Sequence, residues 1–205
     1  MPWTGESLLA RAQRLWASRK PREALVAEDV PSAVTPEECR RLAELARDRR
    51  VLEVGSYLGR STIALASTAA VVHTVDLHPP DDLGLGLRST VGALIENLER
   101  YDVRHRVVVH VGFSQLVLPE LPAASFDVAF LDGQHQRDPV EEDLAALLPL
   151  LRPGGVLALH DYGVPGVEHE GRWDPFAVTE VVDELAAERG LDVEVTGTLA
   201  VLRLP

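Results

Sequence analysis

Apolar residues recur along this chain in two alternating rhythms. Short, nearly unbroken runs of strand length (VLEVG at 51 to 55, VVHTVD at 71 to 76, RVVVHV at 106 to 111, FDVAFLD at 126 to 132 and GVLALHD at 155 to 161) are separated by helical patterns near 59–69, 89–100, 138–151 and 175–189. Unbroken apolar runs belong to strands covered on both faces, and their alternation with helices predicts parallel pairing. The last two strand runs, LDVEVTG and TLAVLRL, are joined only through Gly197 and Thr198. A link that short permits antiparallel pairing alone. The expected fold is therefore α/β and Rossmann-like: a seven-stranded, mostly parallel sheet ending in a C-terminal antiparallel hairpin, with helices on both faces.

Ahead of the first strand, residues 1 to 50 read as a helical segment of the same domain, and 51 to 205 as its core. In residues 5 to 19, Leu8, Leu9, Ala12, Leu15 and Trp16 share one helical stripe. Such a face usually packs on the core, but it also suits an acceptor pocket or a second subunit of a homodimer. Thr35, Pro36 and Glu38 form a helix start, with a hydroxyl cap, a proline at the first helical position and a carboxylate reaching back. That helix is expected to run to about Arg50.

The length of 205 residues fits one domain with one core. A formal charge of −12 repels phosphate backbones and anionic surfaces, so neither nucleic acid nor membrane is an expected partner. A lone cysteine, Cys39, cannot form an internal disulfide, and no apolar run reaches the ~18 to 20 residues that span a bilayer. With no secretory leader pattern at the start, the expected location is cytoplasmic.

The chemistry begins at VLEVGSYLGRS, where an apolar strand ends in Glu53, Gly55 and Gly59 as a helical pattern starts. Ligands of open α/β sheets bind beyond the carboxyl ends of the strands, and glycines there let backbone approach the ligand. Nicotinamide binding calls for G-x-G-x-x-G, with a pyrophosphate on the helix N-terminus. Here the spacing is E-x-G-x-x-x-G. S-adenosylmethionine has no phosphate and offers an ammonium and a carboxylate, which a loop carboxylate and backbone amides can hold. Asp76, closing the next strand and followed by Leu77 and His78, can accept from ribose hydroxyls, or can merely cap the turn. Gly112-Phe113-Ser114-Gln115 follows the third strand, where a ring and small polar groups can frame an adenine, although Phe113 could equally be core.

Taken in order, Glu53 to Ser61, Asp76, Gly112 to Gln115 and Phe126 to Asp132 resemble the successive motifs of class I S-adenosylmethionine-dependent methyltransferases. The nearest branch is the catechol O-methyltransferase-like group and its antibiotic- and sugar-modifying relatives. The resemblance implies that Glu53, Gly55, Ser56, Tyr57, Gly59 and Ser61 surround the methionine part of the cofactor. It also implies that Asp76 takes the ribose and Ser114 with its neighbours Gly112 and Phe113 the adenine. By position, His78 can line the ribose or the adenine edge, and Leu77 and Asp132 are further cofactor-binding candidates.

Two further strand ends carry acid–base groups: Asp132 and His135 after the fourth strand, His160 and Asp161 after the fifth. Methyl transfer to oxygen requires the acceptor to lose a proton, either to a general base or with help from a divalent cation. His135 suits the first device; Asp132, His160 and Asp161 suit the second, as ligands for magnesium or manganese. The resemblance implies a metal-binding aspartate at Asp132, a base near His135 and an acidic or amide pair at positions 160 and 161. A histidine at 160 departs from that pattern and counts against magnesium. The plainer alternative has Asp132 near the methionine ammonium, His160 bonded to backbone and Asp161 capping a loop.

His73, His105 and His110 are expected to be structural, and Glu141, Glu142 and Asp143 a solvated helix face. Residues 162 to 175, rich in glycine and proline and including His169 and Trp173, read as a loop over a small-molecule acceptor. The expected activity is methylation of a phenolic, sugar or other secondary-metabolite hydroxyl. A non-catalytic S-adenosylmethionine-binding protein is the alternative of another class, and it would need no His135 or carboxylate cluster. A dehydrogenase is disfavoured by the glycine spacing, and a nucleic-acid methyltransferase by the charge and the lack of a base-flipping motif.

Overall fold

The computed structural model describes residues 22–79, 86, 89–164, 167–169, 172–174 and 177–205. The amphipathic helix expected over 5 to 19 lies outside these residues. In chain order the elements are α1 (Pro36–Ala46), β1 (Arg50–Val54), α2 (Arg60–Thr68), β2 (Val71–Asp76), α3 (Val91–Arg100) and β3 (Val107–Val111). Then follow α4 (Ser114–Val117), β4 (Phe126–Leu131), α5 (Arg137–Leu147), β5 (Leu151–Leu159), β6 (Val167–His169), β7 (Arg172–Asp174), α6 (Ala177–Arg189), β8 (Val193–Thr196) and β9 (Leu199–Arg203).

The main sheet has seven strands in the order β3-β2-β1-β4-β5-β9-β8, parallel from β3 to β5, with β9 antiparallel to β5 and β8 antiparallel to β9. Strand order reverses between β1 and β4, since β1 leads outward to β2 and β3 while β4 starts the other half. A crevice must open at that reversal, at the carboxyl ends of β1 and β4. Two buried cores lie on the two sheet faces: one gathers Leu42, Ile63, Leu65, Leu94 and Leu98 from α1, α2 and α3, the other Val140, Leu144, Leu147, Val181 and Val182 from α5 and α6. The central strands are buried on both sides, Leu52, Val54, Phe130 and Leu131 among them, which accounts for their unbroken apolar runs.

Local chemistry sets the ends. Thr35 and Glu38 form the expected capping box of α1. The helix stops at Ala46 rather than near Arg50, because Arg50 is already in the sheet, its N–H donating to Asp127 Oδ2 at 2.8 Å. α5 likewise stops at Leu147, and β5 begins at Leu151, not at 155 as the apolar run implied. Leu151 pairs with Phe126 and Val156 with Val128, so the RPGG stretch bulges out of register. Residues 167–169 and 172–174 form a small antiparallel hairpin where only a loop was expected.

The segment before α1 is strapped to the start of α2. The Arg60 guanidinium donates to the carbonyls of Ala27 at 3.2 Å, Val34 at 2.9 Å and Glu28 at 2.7 Å. Arg22 reaches the other end of the same helix, donating to the Thr68 and Ala69 carbonyls at 3.0 and 2.6 Å. Among the described residues no helix is long and apolar enough to cross a membrane.

Candidate active site

The β1–α2 loop is shaped by two glycines. Gly55 has φ +88°, and a Cβ there would lie 1.9 Å from the Asp132 carbonyl oxygen. Gly59, the N-cap of α2 at φ +97°, would bring a Cβ within 2.6 Å of Leu94 Cδ1. Only glycine serves at either position. The first contact also joins the glycine loop directly to the β4–α5 loop across the point of strand reversal.

Glu53, fully buried, receives the Thr62 hydroxyl on Oε2 at 2.6 Å, while its Oε1 has no hydrogen-bond partner. Burial pushes its carboxyl up to about 7. Ser61 is buried beside it on α2. An unpartnered buried carboxylate oxygen at this position fits a cationic ligand group such as the ammonium of a methionine moiety.

Asp76 ends β2 and braces the loop. Its Oδ2 accepts the backbone N–H groups of Ser56 and Tyr57, both at 2.8 Å, and its Oδ1 accepts that of His78 at 2.8 Å. Oδ1 therefore keeps one lone pair for an incoming hydroxyl. The turn-shaping alternative is thus seen directly, and the Oδ1 lone pair leaves room for an acceptor role beside it. His78 is buried, with Nδ1 2.8 Å from Thr90 Oγ1 and Nε2 without a partner, while Leu77 is exposed.

Beyond β3, Gly112 and Phe113 lead into α4. The Phe113 ring is 55% exposed, so it is not core. Ser114 Oγ donates to Asp143 Oδ1 at 2.5 Å, and Gln115 Nε2 lies 3.4 Å from the same oxygen. Asp143 is buried, not part of a solvated face, and burial pushes its carboxyl up. The first turns of α5 do carry Glu141 and Glu142 outward, but Asp143 turns inward to hold the 112–115 loop. Periodicity alone hid this, because three consecutive acids look uniformly polar.

Asp132, His135, His160 and Asp161 converge at the ends of β4 and β5. Asp132 is fixed by its N–H to Val54 O at 2.8 Å and His160 by its N–H to Leu131 O at 3.1 Å, while Asp161 has φ +65°. His135 Nε2 lies 2.7 Å from Asp161 Oδ2 and 3.9 Å from Asp132 Oδ1. His160 Nδ1 lies 3.2 Å from Asp161 Oδ1 and 3.5 Å from Asp132 Oδ1. The Asp132 and Asp161 carboxylates push the His135 imidazole up to about 10. Burial opposes the same effect at His160, yet Asp161 and Asp132 push it up to about 9. For Asp161 too burial is outweighed, and the two imidazoles hold it below the ordinary carboxylate range; burial raises Asp132.

Ligand atoms of Asp132, His135 and Asp161 all lie within 4.8 Å of one another, so two carboxylates and an imidazole fit one cation. His160, expected as the third ligand, sits deeper, 3% exposed, between this cluster and α1. It is bonded to side chains rather than to backbone: Nε2 is 3.4 Å from Glu38 Oε2 and 3.2 Å from Thr198 Oγ1. Glu38 and Thr198 are neighbours of the site that the sequence did not single out, since the capping box already accounted for Glu38.

Known proteins share the family and the fold of this chain. A family described as a methyltransferase domain matches residues 52–162. An uncharacterized protein of Acanthamoeba polyphaga mimivirus is 22% identical over 148 residues, which are 68% of this chain and 62% of that protein. Among solved structures, the O-methyltransferase TomG of Streptomyces achromogenes, involved in tomaymycin synthesis and bound to SAM, superposes with a TM-score of 0.63 at 24% identity, covering 96% of this chain and 87% of its own. A cofactor-bound protein from MTB gives a TM-score of 0.63 at 25% identity, covering 98% and 91%. An O-methyltransferase of Bacillus cereus in complex with SAH gives 0.60 at 22% identity, covering 97% and 91%.

Proposed function

Because the chain belongs to the methyltransferase-domain family, whose cofactor is S-adenosylmethionine, we propose that it methylates a hydroxyl of a small molecule, with His135 as the proton acceptor and a divalent cation between Asp132 and Asp161. The observation that carries this reading is the contact of Gly55 with the Asp132 carbonyl, which sets the cofactor loop against the acid–base cluster. The Streptomyces and Bacillus cereus neighbours are O-methyltransferases, and a hydroxyl acceptor is the class adopted here.

S-adenosylmethionine supplies a methyl group on a positive sulfur. Glu53 faces the methionine ammonium, the Asp76 Oδ1 lone pair takes a ribose hydroxyl, and the Asp143-held loop with Phe113 frames the adenine. The acceptor oxygen attacks the methyl carbon in line as the carbon–sulfur bond breaks, and its proton passes to His135. Asp132 and Asp161 are the carboxylates that would hold a divalent cation here, and its charge would stabilise a developing oxyanion on the acceptor. Neutralising those two carboxylates would weaken their hold on the His135 proton. With His135 kept for the proton, the donors left to the cation are carboxylate oxygens, which suit magnesium or manganese. The net charge of −12 favours a small acceptor over nucleic acid, and the cytoplasm is the compartment proposed for it.

The test is a methylation screen against phenolic and sugar acceptors, with and without manganese. His135→Ala is expected to lose turnover while its calorimetric affinity for S-adenosylmethionine stays near that of the wild type. Equal turnover in the two proteins rules out the base, and activity insensitive to chelator rules out the cation.

A further inference from the structure

Methyl transfer uses neither His73 nor His110, yet these two imidazoles meet across adjacent strands. β3 is the edge of the sheet, and His73 on β2 is paired there with Val108, so His110 is its diagonal neighbour on the same face. His73 Nδ1 lies 3.1 Å from His110 Nε2, with the rings stacked at 5.2 Å and inclined by 25°. The Phe126 ring stands at 74° to His73, with its centre also 5.2 Å away, and limits how that imidazole can turn. Both histidines are only half-buried, and Val108 on the same face is 41% exposed, so water reaches the open side of the pair.

Two neutral imidazoles can share one hydrogen between them, or each can turn a lone pair toward a common ion. Bonds of about 2.0–2.1 Å, ordinary for imidazole on zinc, would subtend an angle of about 100° across the 3.1 Å gap between these nitrogens. That angle falls between the ~90° of a square-planar centre and the ~109° of a tetrahedral one, so an ion of either habit enters with little movement. The hydrogen now held between the rings would pass to the far nitrogen of its own imidazole. Burial lowers the pKa of both rings, helped at His73 by His110 and Arg50, so no proton has to be driven off at neutral pH before the ion binds.

We propose that His73 and His110 form a two-nitrogen site for a transition ion, copper(II), nickel(II) or zinc, whose remaining positions are filled by water. It is separate from the group of Asp132, His135 and Asp161 and does not rest on the cation reading given above. Imidazole donors suit these ions, whereas magnesium and calcium call for oxygen ligands. Arg50 sets a limit on the affinity. Its guanidinium lies 5.9 Å from the Phe126 ring centre and donates to the Ser125 carbonyl at 3.0 Å, and its charge, felt at His73, works against a cation there.

The experiment is calorimetry of the untagged full chain with zinc at neutral pH, for the wild type, His73→Gln, His110→Gln, Asp132→Asn and Arg50→Gln. Each histidine variant is expected to lose about tenfold or more in zinc affinity, because a chelating pair becomes a single donor. Asp132→Asn should retain that binding event, which separates it from any ion held at the ends of β4 and β5. Arg50→Gln should tighten it by about twofold or more as the opposing charge is removed. Should His73→Gln fail to fold, His110→Gln on the edge strand decides the matter alone. Zinc affinity unchanged in the histidine variants overturns the site and leaves the two rings as a hydrogen-bonded pair only. Loss of zinc binding in Asp132→Asn equal to that in the histidine variants overturns it as well, since the ion then sits elsewhere.

Discussion

Gly55 and the carbonyl of Asp132 are in such close contact that the loops after β1 and β4 form one surface. A Cβ on residue 55 would overlap that carbonyl at 1.9 Å, at a φ of +88° that a side chain resists in any case. Gly55→Ala is expected to cost about 3 kcal/mol or more, as overpacking and backbone strain add. Thermal or urea unfolding measures this, and a loss under about 1 kcal/mol would mean the loops can part freely.

Asp76 has two tasks, which substitution can separate. Asp76→Ala removes the acceptor for three loop N–H groups as well as the outward lone pair, whereas Asp76→Asn retains one carbonyl oxygen. Calorimetry should show S-adenosylmethionine affinity falling by at least about tenfold in Asp76→Ala, with a smaller loss in Asp76→Asn. Unchanged affinity in Asp76→Ala would refute the ribose assignment.

Asp143 supports the 112–115 loop from below. Asp143→Ala leaves the Ser114 hydroxyl without its acceptor and is expected to cost about 1 to 3 kcal/mol of stability and to weaken cofactor binding. Glu142→Ala, one residue earlier on the same helix, should change neither, and equal effects from the two would place Asp143 back on the surface.

A pH effect is expected far from the site. His73 Nδ1 lies 3.1 Å from His110 Nε2, with the rings stacked at 5.2 Å, and burial lowers the pKa of both, helped at His73 by the positive charges of His110 and Arg50. With folded values below the unfolded value of about 6.5, the unfolded chain takes up protons first. The pair's contribution is present above about 6.5 and is lost as pH falls through the lower folded values. Melting temperatures between pH 7.5 and 5 should fall less steeply in His110→Gln than in the wild type; parallel curves would show that the pair does not titrate in this range.

The alternation of buried runs with helical periods made the order of the main elements legible, since each rests on one local pattern. The strand ends were legible for the same reason, and Glu53, Gly55, Asp76, Asp132, His135, His160 and Asp161 could be singled out before any coordinates. What stayed hidden depends on pairing across the chain. The early start of β5 at Leu151 follows from its bulge opposite Phe126, and nothing local in RPGG announces a partner strand. Asp143 and Glu38 looked accounted for by their own helices, one as surface charge and one as a cap. Their second partners stand 29 and 160 residues away in sequence. The orientation of His160 likewise rests on Thr198, which reads locally only as a turn residue.

The Arg60 clasp on the carbonyls of Ala27, Glu28 and Val34 makes the leading segment and the first turn of α2 a single cooperative unit. Peeling that segment away would unseat the helix start that the glycine loop feeds. Amide protons on both sides of the clasp should then exchange at one common rate.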